Sequence, residues 1–524
     1  MKPLIHVVLI LLFCVACSSS KQTQKGQQLL SAIIHYEVSI KDAAGNGKFK
    51  VTVTPGQLMA DNAIYHFAST VPGVYDKLDF GRLVLSFNAF NREGTQLNSN
   101  KIATNQWKID DIDKLHHIEY EISESFANPQ GVSVAFMAGS DIDEDHVFFN
   151  TFAVLGYFEG TQSQAVSVKV NRPAYWQLGS AMMSDENGLL QADSFGHLAD
   201  SPIMMGNLDK ASINVGGIAV EIYVFSSNKK ISAAQVQRII EPSLRAAPEF
   251  LTYAPVKRYV ILMEFLDSKT RKANGLRGIG ALEHRTSSGY ILPENDKILG
   301  ILNEWVAHEF FHIAVPLNLH SDLIDPFDFQ KANPDQHLWL YEGVTVWASE
   351  IMSLRVKQLS LTDYLSNIAY KIKQSKKVTT KDSFVDFSLA IYHHRDDSNA
   401  GYIDNNASMA IMCLDIMMLE DNHDSSNGTK GFRELLIKLM KAYGPNQPFA
   451  NDGLFDIIEQ HSSAKVGDFF KRYIEGNEVL DYNDYLSKIG LRYAVNESGK
   501  SVVTVFTGAT KAQVELRHQW QQNL

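Results

Sequence analysis

Cysteine is nearly absent from this chain. Its 524 residues hold three, and two of those, Cys14 and Cys17, fall near the N-terminus. Only Cys413 is left for the body of the protein, so an internal disulfide framework is excluded and packing must hold the fold together. An excess of positive charge is missing too. Lys and Arg total 48 against 59 Asp and Glu, a net charge of −11. A phosphate backbone wants a basic face, so no nucleic acid is expected as a partner. Long apolar runs are also lacking: Leu4 to Val15, interrupted by His6, is too short to span a membrane comfortably. No internal repeat and no long low-complexity tract stands out. What remains is 45% apolar and 20% charged, ordinary for a globular protein with a large core. The length calls for about three or four domains.

The N-terminus carries a processing signal. Lys2 ahead of the apolar run has the form of a secretory leader. Cys14-Val15-Ala16-Cys17 followed by Ser18-Ser19-Ser20 resembles a bacterial lipoprotein signal, in which cleavage before Cys17 leaves a lipidated cysteine. The position three before that cysteine is usually leucine and here is Cys14, so a plain cleaved signal is the alternative. The expectation is an exported protein, lipid-anchored to the cell envelope, periplasmic or surface, with residues 1–27 as signal and linker.

The chemistry is concentrated in His308-Glu309-Phe310-Phe311-His312, inside the apolar segment Leu299 to Val315 that Pro316 closes. Leu302, Trp305, Val306, Phe310 and Ile313 recur at helical spacing, which predicts a buried helix. Residues four apart on a helix lie about 40° from each other. His308 and His312 can therefore each offer a nitrogen to a single ion, and zinc accepts neutral imidazole readily. Glu309, on the same side, is poorly placed to ligate with them but can take the proton of a water. A third ligand is needed. Leu338 to Val356 reads as a second helix, and Glu342 lies early in it, far enough beyond His312 for the chain to loop and return. Two histidines, one carboxylate and an open position make a catalytic zinc site, of one ion, rather than a closed structural one.

Along the chain, Ile33 to Ile40, Phe49 to Thr54, Val84 to Phe90, Ile118 to Ile122, Val132 to Phe136 and Ala165 to Val170 read as strands, which makes 28–172 a β domain. From about Pro173 the pattern turns mixed: a strand at Val215 to Phe225, a helix at Ser232 to Leu251 with Ser232 as N-cap, and a strand at Tyr259 to Phe265. Gly278 to Ser288, ending in Tyr290-Ile291-Leu292, suggests an edge strand beside a cleft or a solvated hairpin. Leu361 to Lys373, Ser408 to Leu419, Gly431 to Tyr443, Asp452 to His461 and Val466 to Ile474 are helical. Leu491 to Val495 and Ser501 to Phe506 form a closing hairpin in 493–524.

These landmarks together resemble the glycyl aminopeptidase family, family sixty-one of the metallopeptidases, among the thermolysin-like gluzincins. The likeness rests on Pro72-Gly73-Val74-Tyr75 with Phe80, Arg82 and Trp107, on Leu198 to Ile203, and on Gly280 to Arg285. It rests also on His308 to His312, on Leu338 to Thr345, and on Phe469-Phe470 through Gly490. It covers Ile33 to Tyr493 and implies a multidomain α+β fold: an N-terminal β domain, a thermolysin-like zinc catalytic domain over 173–365 and a C-terminal helical domain over 366–492. It implies a zinc aminopeptidase acting on peptides with small N-terminal residues, glycine or alanine. His308, His312 and Glu342 would bind zinc, Glu309 would be general base, and Glu283 would hold the substrate's free α-amine. The tail beyond Tyr493 is short, so the PDZ domain that many family members carry is not expected.

One departure bears on catalysis. Related aminopeptidases place a tyrosine before lysine-glycine to steady the oxyanion, and alignment on Met409 to Asp415 puts Asp404 in its place. Tyr402 is the candidate substitute; Tyr392, His393 and His394 are nearby in sequence, and the choice stays open at this level. Two alternatives therefore stand beside the aminopeptidase: a peptide-binding scaffold lipoprotein that lost efficient catalysis, and an endopeptidase on the same site.

Overall fold

The computed structural model describes residues 33–40, 47–128, 130–273, 278–378, 380–393, 401–422 and 431–522. Residues 1–32, with Cys17, and the residue His394 lie outside them. The N-terminal part is built on an eight-stranded sheet in which Ile34–Ser39 runs between Val166–Asn171 and Lys48–Thr54, and Leu115–Ser123 between Lys48–Thr54 and Val84–Asn91. Strict alternation explains the placement. Phe49, Val51 and Val53 are buried while their neighbours in the strand are not, and Val51 sits opposite both Val38 and Tyr120. Each large apolar side chain fully buried in this way contributes about 1.5–3 kcal/mol.

Several strands depart from their sequence reading. Val132 to Phe136 is not a strand: the Asn128 amide donates to the carbonyls of Ser125 and Val132 and its oxygen accepts from the Val132 N–H, so that segment's polar groups are satisfied locally. It ends in a 3-10 turn at Phe136–Ala138. The β domain also runs past 172. Leu190–Ala192 pairs with Val166–Asn171, and Ile203–Gly206 pairs with both Gln177–Ser180 and His146–Phe149. The change to the next domain therefore falls beyond Gly206. The reading of one strand at Val215 to Phe225 becomes two, Asp209–Val215 and Ile218–Ser226, joined at Gly216-Gly217.

The next domain is built on a five-stranded sheet in the order Asp209–Val215, Ile218–Ser226, Arg258–Leu266, Ser287–Pro293, Gly280–His284. The middle three strands are parallel and both edges antiparallel. Such a sheet must be covered on both faces. Ile261, Met263 and Phe265 pack with Leu244 and Phe250 of the Ala233–Leu251 helix and with Phe310. Ser232 caps that helix by accepting the Gln235 N–H at 3.2 Å. Val260, Leu262 and Leu266 on the opposite face pack with Phe148 and Met204 of the N-terminal part. The two domains therefore share a core through this sheet.

The C-terminal part is helical. Ser408–Asn422 carries Met409, Ile411, Met412, Leu414 and Ile416 buried on several sides, as expected of a helix surrounded by others. Cys413 is buried and free. After the hairpin Leu491–Val495/Ser501–Val505 comes a helix, Lys511–Gln522, that the sequence reading of 493–524 lacked. Its apolar content is low. What docks it is Trp520, fully buried against Tyr364, whose carbonyl accepts from Arg355 Nε at 3.1 Å. No helix of the described residues is long and apolar enough to cross a membrane.

Candidate active site

The segment read as one helix is broken at Gly300, and the helix proper is Leu302–Phe311 with His312 as its C-cap in helical conformation. His308 and His312 present Nε2 atoms 3.2 Å apart, their rings at 89°. His312 is buried, and its Nδ1 lies 2.9 Å from the Val315 carbonyl. A carbonyl can only accept, so Nδ1 carries the proton and Nε2 keeps its lone pair toward His308.

Glu342 arrives on a different element. Leu338 to Val356 is not one α-helix: Trp339–Val344 is a π-helical stretch that passes into the α-helix Thr345–Arg355. Such wide turns are frequent at functional sites because they turn a side chain off the regular helical face. The stretch is pinned by Asp335, which accepts from the Tyr341 hydroxyl at 2.9 Å, from the His337 N–H and from the Ser321 hydroxyl. Glu342 Oε2 ends 3.4 Å from His308 Nε2 and 3.9 Å from His312 Nε2. All three ligand atoms lie within 4.8 Å of one another. Two imidazole nitrogens facing each other beside a carboxylate repel unless a cation or proton lies between them, and N,N,O is a donor set that zinc takes. The residues present thus fit a metal ion.

Charge in this pocket is correspondingly crowded. Burial alone would lower His308, but the Glu342 carboxylate outweighs it and lifts the imidazole to about 9. Burial would raise Glu342, and the two imidazoles bring it below its ordinary value instead. Burial pushes Glu309 up to about 7, with Glu283 and Glu342 adding to the effect and the histidines opposing it.

Glu283 lies on Gly280–His284, the edge strand of the sheet. Its carboxylate falls within the same 4.8 Å reach as those of Glu309 and His312 Nε2. Two contacts hold it there. Asp200 accepts from the Arg285 N–H at 2.8 Å and lies 3.0 Å from His284 Nδ1, clamping the strand's end. The Pro72–Tyr75 turn of the N-terminal domain lies over the carboxylate: at Gly73, with φ +75, a Cβ would stand 2.7 Å from Glu283 Oε1. Only glycine combines that backbone with that approach.

A cavity opens on each side of this cluster. One is lined by Tyr75, Glu283, Pro316, Phe327, Tyr341 and Tyr392. The other is lined by Gly280, Ala281, Trp305, His308, Glu309 and Asp404. Asp404 lies on a second π-helical stretch, Tyr402–Ala407, packed so closely on the first that a Cβ at Gly343 would come 2.7 Å from that of Ala407. Its carboxylate is raised by burial and by Glu342.

Tyr402 does not serve the site. Its hydroxyl donates to the Asp382 carbonyl at 2.8 Å, and its ring packs between Phe384 and Phe387, in a different cavity. The turn before Asp404 sends alternate side chains to opposite sides, which residue spacing alone did not reveal. Tyr392 meets Thr70 Oγ1 at 3.2 Å and packs near Tyr75. Tyr75 itself was missed as a site residue. It held a place in the sequence only as part of a turn, yet it lines the cavity beside Glu283, and its phenol is raised by burial and by the charges of Glu342 and Glu283.

Comparison with known proteins agrees with this architecture. Residues 35–207 match the Peptidase M61 N-terminal domain, and residues 302–408 match the M61 glycyl aminopeptidase domain. No curated protein sequence matches the chain. Among solved structures, an aminopeptidase N family protein from Idiomarina loihiensis is similar, with 18% identity and a TM-score of 0.76 over 89% of this chain and 81% of that one. A variant M1 zinc metallopeptidase from Deinococcus radiodurans, bound to a Tyr-Ser-Ala substrate, superposes with a TM-score of 0.51 at 12% identity, over 86% of this chain and 94% of that one. Aminopeptidase A from Legionella pneumophila, in complex with aspartic acid, gives 0.50 at 11% identity, over 91% and 52%. At such identities the likeness is one of fold. The two matched segments take in the β domain and the run from Leu302 through Asp404, and on them the chain belongs to the M61 glycyl aminopeptidase family and is a metallopeptidase.

Proposed function

We propose that this protein is a zinc-dependent aminopeptidase that removes small N-terminal residues, glycine or alanine, from peptides. His308, His312 and Glu342 hold the ion. The observation that carries the reading is Glu283, a carboxyl side chain within 4.8 Å of Glu309 and His312, raised by burial so that a substrate's ammonium would hold it ionised. A carboxylate that close to the reacting centre suits a substrate's α-ammonium one residue away from the scissile bond. It also leaves an endopeptidase's preceding residue facing an uncompensated charge.

When bound, zinc supplies Lewis acidity to the scissile carbonyl and to water. Glu309 takes the proton of the attacking water on its carboxylate and delivers it to the leaving amine nitrogen. Glu283 orients the substrate through its ammonium. The Val315 carbonyl fixes the His312 tautomer. Tyr75, reaching in from the N-terminal domain, offers a phenol O–H to the oxyanion in place of the missing tyrosine at Asp404. Its raised pKa supports this, since the phenol keeps its proton and stays a donor. The Cys14 to Cys17 signal supports export, with a lipid on Cys17 tethering the enzyme to the cell envelope.

Chromogenic glycyl and alanyl amides, with free and with blocked amines, test this reading. The native protein should cleave the free-amine set in a chelator-sensitive way. Glu283→Gln should lower kcat/KM on that set by roughly 30-fold or more, the cost of stranding one buried charge, and leave the blocked set unchanged. Equal loss on both sets removes the assigned role. Tyr75→Phe should lower kcat by about 10²–10³ with little change in KM, the usual loss for one oxyanion donor. A kcat within a few-fold of native would return that role to another group.

A further inference from the structure

We propose a second cation site, built from Asp141, His146 and Glu264 where the N-terminal domain meets the catalytic sheet, with the chemistry of a divalent transition metal such as zinc. The three side chains are fully buried, and one ligand atom from each lies within 4.8 Å of the others. Asp141 and His146 come from neighbouring strands of the N-terminal domain, Ser140–Ile142 and His146–Phe149. Glu264 comes from Arg258–Leu266, the central strand of the catalytic sheet. On that strand Val260, Leu262 and Leu266 face the N-terminal domain in an apolar core, and Glu264 occupies the position where the alternation calls for another apolar residue.

The geometry around His146 is that of a ligand. Its Nδ1 lies 2.9 Å from the Asp145 carboxylate, an acceptor, so an N–H sits there. Burial lowers the imidazole's pKa, but Glu264, Asp141 and Asp145 raise it well above its ordinary value, so Nε2 faces inward with a proton that a cation would displace. That Nε2 is 2.7 Å from Glu264 Oε1 and 3.7 Å from Asp141 Oδ2. His312 shows the same arrangement, with one nitrogen held by an oxygen acceptor and the other facing its fellow ligands. The ring is further fixed by stacking on Phe225 at 3.7 Å. Beyond that 2.7 Å contact with His146, no hydrogen bond among the described residues reaches Glu264 Oε2. Buried carboxylate oxygens are normally satisfied, so Oε2 lacks a partner.

The charge balance points the same way. A third buried carboxylate, Glu124, stands beside Asp141 and is pushed up to about 8 by burial and that neighbour. Glu264 is pushed up to about 7 by burial, with Asp141 adding to it. Arg271 feels the charge of Glu264 but gives Nη2 to the Gly278 carbonyl. One imidazole and one guanidinium therefore face three carboxylates in a dry interface. A cation would satisfy the carboxylates; the competing arrangement is protons shared within the cluster. An imidazole with carboxylates suits zinc or manganese better than calcium or magnesium, which take all-oxygen sites. Placed on two domains, the ion would act as a staple between them and lies outside the cleft.

The full chain carrying Glu342→Ala, which removes one ligand of the cleft site, isolates this cluster. After exposure to zinc and gel filtration it should retain one zinc equivalent by elemental analysis. Adding Glu264→Gln should remove that equivalent, and so should His146→Gln. Zinc should raise the melting temperature of Glu342→Ala protein and not that of the double variants. With cobalt in place of zinc, the folded Glu342→Ala protein should show a visible absorption spectrum, a readout that needs no second substitution. Folded Glu342→Ala protein that holds no zinc and gives no cobalt spectrum overturns the proposal in favour of shared protons. So does zinc retained equally with and without Glu264.

Discussion

Glu309→Gln protein is expected to keep its metal and to cleave glycyl amides about 10²–10⁴-fold more slowly than the native chain. Glutamine preserves the size of the side chain and an oxygen that can accept a hydrogen bond from water, but that oxygen cannot carry the proton away. Glu309 lies within 4.8 Å of Glu283 and His312 but is not a member of the group formed by His308, His312 and Glu342. Its replacement therefore leaves the donor set intact. Burial, with Glu283 and Glu342 adding, lifts its carboxyl to about 7, near the working pH, where a group both takes a proton and gives it up readily. Steady-state kcat and metal content measured on one preparation check this. Native-like turnover at native metal content would remove Glu309 from the mechanism.

Glu342→Ala should have the larger effect. It deletes the anionic ligand and leaves two imidazole nitrogens 3.2 Å apart with no carboxylate beside them. The Lewis acid supplies several kcal/mol of charge stabilisation, so turnover should fall by at least about 10³-fold. Chelation of the native protein should give the same loss. Added zinc should restore the chelated native protein at micromolar levels and leave the variant inactive. Activity in Glu342→Ala protein that survives chelation would contradict the assignment.

Much of this site was legible in the sequence because it depends on local spacing. Histidines four apart on a helix must share a face, and Glu342 had both the right residue type and enough intervening chain. Glu283 was legible only through the family resemblance of Gly280 to Arg285; the glycines and charges alone leave an edge strand and a solvated hairpin both open. The fold class followed from period-two and helical patterns, which report burial directly. What escaped depends on contacts distant in sequence or on local geometry that composition does not encode. A π-helical stretch leaves no hydrophobic signature, so Tyr402 was placed on the wrong side of its turn. Tyr75 reaches the cleft through domain packing. Glu264 looks like one charged residue in an apolar strand until His146 is brought against it. The helix Lys511–Gln522 has too few apolar residues to show a period, and docks through Trp520.

Side chains from two separate helical segments are expected to hold one metal ion beside an unligated Glu309. A crystal structure of the zinc-loaded protein, with anomalous data on both sides of the zinc edge, tests it most directly. A zinc peak is expected about 2.0–2.2 Å from His308 Nε2, His312 Nε2 and a Glu342 oxygen, with Glu309 outside ligand distance. An empty position between those three side chains, or a peak ligated by Glu309 in place of Glu342, would contradict it.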